Sequence, residues 1–141
     1  MVMMTENATD FDYFEIDVTK NDAHIGFSRT GTLNWDKLDW RVTLGGFGGY
    51  TSMILKKGVS GYDDLAIVGH GYSDWISMRS QMTVKVSDGE ITVLRENKKS
   101  FMTAKDDSIT KSDLKYMTVW NWSSETWKIN AFPAGTVNYQ K

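Results

Sequence analysis

The side chains best suited to chemistry gather in GHGYSDW at 69 to 75, which brings His70, Tyr72, Ser73, Asp74 and Trp75 together. A serine, a histidine and an acid are the parts of a nucleophilic hydrolase, and His24 offers a second histidine. A serine nucleophile of that kind is presented by Gly-x-Ser-x-Gly on a sharp turn between strand and helix. Here Ser73 stands between Tyr72 and Asp74, so the presenting motif is absent. The same stretch also reads as a loop that shows His70, Tyr72 and Trp75 to solvent, a composition closer to a binding loop. A carboxylate pair such as Asp74 with Asp63 or Asp64 would suit glycan hydrolysis, but the separation that defines such a pair is not written in sequence.

No metal or cofactor is expected. His24 and His70 lack the spacing of a zinc site. Asp63-Asp64 and Asp106-Asp107 do not alternate around a central glycine as calcium loops do, and they read as solvated turn charges. The chain has no cysteine, which excludes disulfides, thiolate metal sites and a cysteine nucleophile. GGFGGY at 45 to 50 lacks the Lys-Ser/Thr ending of a phosphate-binding loop and reads as a bend between strands. Were a ligand to approach its bare backbone, Phe47 and Tyr50 would supply stacking.

The aromatic residues are the other chemical resource. TVWNWSSETWKI, residues 118 to 129, holds three of the six tryptophans. It reads as a hairpin with SSET as a four-residue loop, Trp122 opposite Trp127 and Trp120 opposite Ile129. Such a tryptophan face packs a core. Alternatively Trp122 and Trp127 stay partly exposed at the sheet's end, where indole stacks on the C–H face of a sugar while Asn121, Ser123 and Ser124 bond its hydroxyls. Both readings remain open.

The elements that must position these residues are strands. Asp88-Gly89 is a strong type I′ turn signal, and a two-residue loop there sets Val86 against Ile91 and Val84 against Val93. Further strands are expected over 13–19, 24–28, 40–44, 51–56, 64–68, 75–79, 115–121, 127–131 and 136–139. DKLDW at 36 to 40 is the one weak helical signal, and RENKKS at 95 to 100 reads as a solvated loop. Many short strands divided by turns predict an all-β, single-domain β-sandwich or jelly roll with antiparallel strands. Its length of 141 residues fits one domain, with residues 1–10 as a flexible lead-in and 11–141 as the sandwich.

Charge narrows the partners. Sixteen basic residues against 18 acidic ones give a net charge of −2, which favours neither nucleic acid nor an anionic membrane. No apolar run reaches the length of a membrane helix, so no membrane insertion is expected. The start MVMMTENATDFDYF lacks the basic and apolar regions of a secretory signal.

TDFDYFEIDV (9 to 18), MRSQMTVKVSDGEITVL (78 to 94) and MTVWNWSSETWKINAF (117 to 132) resemble segments of small β modules in bacteriophage tail and fibre proteins. Residues 29 to 76 have no counterpart in that pattern. The resemblance implies a virion component made in the host cytoplasm, often a homotrimer, near the host-contacting end of a tail. Joined to the aromatic loops, it gives the expectation of a non-enzymatic adhesion module that binds host cell-surface polysaccharide. The expected ligand-binding residues are Trp122, Trp127, Trp75, Tyr72, Tyr50, His70 and Asn121. The alternatives are a structural virion module whose aromatics pack an oligomer interface, and a small glycan hydrolase.

Overall fold

The computed structural model describes residues 2–5, 13–17, 23–69, 71, 81–95, 99–120, 129–132 and 138–140. Among them run twelve strands: β1 (Val2–Thr5), β2 (Tyr13–Asp17), β3 (Ala23–Ser28), β4 (Trp40–Gly45), β5 (Thr51–Gly58), β6 (Gly61–Gly69), β7 (Gln81–Ser87), β8 (Glu90–Leu94), β9 (Ser100–Lys105), β10 (Tyr116–Trp120), β11 (Ile129–Phe132) and β12 (Asn138–Gln140). They form a seven-stranded sheet in the order β12-β1-β10-β3-β4-β5-β6 and a five-stranded sheet in the order β11-β2-β7-β8-β9. Every pairing is antiparallel. The all-β sandwich expected from the sequence is the architecture found.

Alternation along the strands builds the core. Ile25, Phe27, Trp40, Val42, Leu44 and Ile54 point inward from the larger sheet. Phe14, Met82, Val84, Val86, Ile91, Val93, Met102 and Ala104 meet them from the smaller one. Side chains two apart share a face, so one strand contributes every second residue. Phe14 and Phe27 make one such contact, with ring centroids 6.5 Å apart and tilted by 50°. The β7–β8 hairpin has the register that its turn dictates: Val84 faces Val93, Val86 faces Ile91 and Ser87 faces Glu90. Gly89 takes the positive φ, +78°, that such a turn requires.

One local expectation is corrected, and two strands are added. Trp120 does not pair with Ile129: Trp120 pairs with Val2 and His24 in the larger sheet, while Ile129 pairs with Ile16 in the smaller one. The expected pairing of Trp122 with Trp127 lies outside the described residues. Alternation flanking a polar tetrapeptide fits either a tight turn or a crossover, and the sequence does not separate them. The loop RENKKS gives way to an unanticipated strand, β9. A further strand, β1, falls within residues 1–10 and pairs with β10 on one side and β12 on the other. GGFGGY is the connection expected, here as a four-residue helical turn, α1 (Gly46–Gly49), between β4 and β5. DKLDW contributes to a 3-10 turn over Trp35–Lys37 and then enters β4. The proposed strand at 75–79 lies outside the described residues.

Candidate functional site

The site is built on the outer face of the larger sheet. Residues alternating with the core set on β3 and β4 are His24, Gly26, Arg41 and Thr43, and β6 brings Tyr62 alongside. The connection between β3 and β4, residues 29–39, folds back over this face as a strap. Short polar side chains shape it: Thr32 Oγ1 accepts from the Asn34 N–H at 3.0 Å, and Asn34 Oδ1 accepts from the Asp36 N–H at 3.0 Å. That second bond caps the 3-10 turn, as asparagine commonly does. Thr118 Oγ1 donates to the Thr32 carbonyl at 3.1 Å and ties the strap to β10. Leu38, fully buried, anchors its far end on Gly26.

Arg41 is the centre of the cluster. Its guanidinium carbon lies 4.6 Å from the Trp35 ring centroid and 4.4 Å from that of Tyr62. Cations at such distances are attracted to the ring quadrupoles. Arg41 Nε is buried and has no hydrogen-bond partner among the described residues. Tyr62 holds the strap as well as the cation: its hydroxyl donates to the Leu38 carbonyl at 2.6 Å and lies 3.1 Å from the Trp35 carbonyl. Burial pushes the Tyr62 phenol above its ordinary pKa, against the opposing charge of Arg41. His24 stands edge-on to Trp35 at 5.1 Å and shares a 3.1 Å hydrogen bond with Thr43 Oγ1. Burial first, and the Arg41 charge second, lower its pKa to about 4, so the imidazole is neutral at pH 7.

This arrangement offers aromatic ring surface, a fixed planar cation and small hydroxyl and imidazole groups on a rigid sheet. Those are the means of recognising a polar ring compound by stacking and hydrogen bonding. Among the described residues no three histidine, aspartate or glutamate side chains converge as a metal site. No helix among them is long and apolar enough to cross a membrane.

Of the residues expected to bind, Tyr50 follows α1 at the other end of β4 from Arg41 and is 54% exposed. His70, Tyr72, Trp75, Asn121, Trp122 and Trp127 lie outside the described residues. The sequence does not single out Trp35, Arg41, Tyr62 or Thr43, and offers His24 only as a triad or metal-pair candidate. One signal was available: Arg41 is a charged residue inside WRVTL, flanked by two residues of a core-facing set, which marks the face away from the core.

No known family's sequence profile matches the chain, and no curated protein matches it in sequence. Solved structures match it in fold. A doubly substituted variant of human galectin-16 superposes with a TM-score of 0.59 at 10% identity, over 91% of this chain and 94% of that one. Sheep galectin-11, in complex with glycerol, gives a TM-score of 0.51 at 9% identity, over 97% of this chain and 87% of that one. The fold is galectin-like. This overturns the likeness to phage tail and fibre modules, and with it the virion localisation, because the two structures described, which share the sandwich over most of both chains, are galectins. The error has a physical origin: alternating strands and a Asp-Gly hairpin recur in unrelated β proteins, and strand order is what distinguishes them. The homotrimer rested on that resemblance and has no other support.

Proposed function

We propose that this protein is a non-enzymatic carbohydrate-binding protein, a single domain comprising both sheets. In this reading the saccharide lies on the outer face of the larger sheet beside Arg41. One observation carries it: the Arg41 guanidinium is fixed between the Trp35 and Tyr62 rings on a rigid strand pair. A planar donor set on such a face can bond adjacent sugar hydroxyls, and the half-buried ring edges offer apolar surface to the C–H face of the sugar. The galectin-like fold supports the same class of function. Tyr50, Tyr72, Trp75, His70, Asn121, Trp122 and Trp127 stay in the proposal as ligand-binding residues for a longer glycan.

The test is a glycan array followed by calorimetric titration of the best neutral saccharide. Arg41→Lys keeps the charge and loses the planar donor set, so it is expected to weaken binding at least tenfold while Tm changes by a few degrees. A lysine variant that binds as tightly as the wild type would remove Arg41 from the site.

A further inference from the structure

A second region of the molecule has the makings of a ligand site. At the end of the sandwich near the start of β4, a cleft of about 390 Å³ opens between the strap, the β5–β6 turn and the segment after β9. It is lined by Arg29, Asp39, Trp40, Lys56, Lys57, Gly58 and Ser108. Three of these carry positive charge and one carries negative charge.

The carboxylates near the cleft already have donors. Asp39 Oδ2 accepts from the Arg29 backbone N–H at 2.8 Å. Asp106 accepts from the Ser108 N–H at 2.8 Å, from the Ser108 hydroxyl, and from Lys56 Nζ at 3.3 Å. The Ser108 bonds hold the Asp106 carboxyl below its ordinary pKa, so it stays ionised. Asp63 lies behind Gly58, where its carboxylate fills the space a Cβ would need.

The donors, by contrast, are in excess. The Arg29 guanidinium reaches Asp113 only at 3.9 Å, with both side chains about half exposed. That leaves most of its five N–H groups available. The Lys57 ammonium has no partner among the described residues. Lys56 gives one bond to Asp106 and lies 5.6 Å from the Trp40 ring centroid. Trp40 is 2% exposed, and its Nε1–H is buried without a partner among the described residues. Trp40 thus backs the cleft as a core ring, and the free donors that face solvent there are those of Arg29 and Lys57.

We propose that this cleft binds a small ligand bearing an oxyanion, a sulfate or phosphate group, held by Arg29 and Lys57 against the wall that Trp40 backs. Lys56 and Ser108 complete the wall. The cleft is larger than a bare oxyanion needs, so it also admits a sugar-sized body. This site is separate from the face around Arg41, and the two proposals stand or fall independently.

The test follows the Trp40 indole N–H by NMR, assigned with Trp40→Phe, while sodium sulfate or sodium phosphate is titrated against sodium chloride at matched ionic strength. Glucose 6-sulfate and glucose 6-phosphate are titrated in parallel, with glucose as the uncharged control. The expected result is a saturable shift of the Trp40 resonance with the oxyanions and not with chloride or glucose. Arg29→Ala combined with Lys57→Ala changes only exposed side chains and is expected to weaken that binding at least tenfold. Tighter binding of the sugar esters than of the inorganic ions identifies an esterified saccharide as the ligand, and equal binding identifies the free oxyanion. A response to sulfate and phosphate no greater than to chloride, or a double variant that binds as the wild type does, overturns the proposal. Neutral-saccharide binding at Arg41 is expected to survive the double variant, so failure of one site is distinguishable from failure of the other.

Discussion

Leu38 occupies the space that a side chain on Gly26 would need: a Cβ built on Gly26 lies 2.2 Å from Leu38 Cδ1. The strap therefore sits on the sheet because β3 has no side chain at that position. This contact joins the sequence to the site directly, since Trp35 is carried over Arg41 by the segment that Leu38 anchors.

Gly26→Ala is expected to lift the strap and lower stability. Forcing a methyl group into a filled site costs about 1–3 kcal/mol. Urea unfolding would give the loss, and the near-ultraviolet circular dichroism of the tryptophans would report displacement of Trp35. Adding Leu38→Ala makes room for the methyl group, so the double variant is expected to lose less than the sum of the single changes. Strict additivity would mean that the two residues do not touch in solution.

The Tyr62 hydroxyl has a separable role. Tyr62→Phe keeps the ring against Arg41 and removes the bond to the Leu38 carbonyl. The loss is expected to be about 0.5–1.5 kcal/mol, the usual net value of one such bond. Amide exchange should quicken across 29–39 and stay unchanged in the β7–β8 hairpin, because the strap is tied down locally and the hairpin lies in the other sheet. Uniformly unchanged exchange would show that the strap is held without this hydroxyl.

His24 makes stability depend on pH. Its folded-state pKa, about 4, lies below its ordinary value of 6.5. Between these values the unfolded chain binds the proton and the folded chain does not, so stability falls as pH drops from about 6.5 towards 4. Across the whole window the effect is at most about 3 kcal/mol. Asp106, also lowered, acts below its ordinary 3.8 and so affects a more acidic range. Denaturant unfolding at several pH values should show a shallower slope between pH 4 and 6.5 for His24→Asn than for the wild type. Equal slopes would mean that His24 titrates alike in both states.

The parts of the fold that were legible in the sequence are those fixed locally. Asp88-Gly89 sets a turn type, the turn sets a register, and the register places Val84, Val86, Ile91 and Val93 on one buried face. The segment 118–129 carries an equally clean alternation, but Trp120 and Ile129 belong to different sheets, and that partition depends on pairings with β1, β2 and β3 made far away in sequence. The cluster around Arg41 was illegible for a related reason. It takes Trp35 from a loop, Arg41 from β4 and Tyr62 from β6, and their meeting depends on a strap returning over a glycine. Nothing in the local spacing of those residues encodes that return.

The β4–β5 turn supplies the last prediction. Phe47 has φ +55°, between Gly45 at +66° and Gly49 at +99°, and its side chain is 73% exposed. A left-handed conformation costs an L-residue roughly 1–2 kcal/mol, and a ring in solvent returns little of that through packing. Phe47→Gly removes the steric cost. It also loosens the unfolded chain, an opposing effect of about 0.4–1 kcal/mol. The net expectation is a small gain in stability. Phe47→Val places a β-branched side chain in the same backbone conformation and is expected to be the least stable of the three. Thermal unfolding of the set should rank glycine at or above the wild type, with valine below both. A glycine variant that melts well below the wild type would sink this account, because it would mean that the Phe47 ring is packed against something in solution and that this contact, rather than the surrounding glycines, holds the turn in its left-handed form.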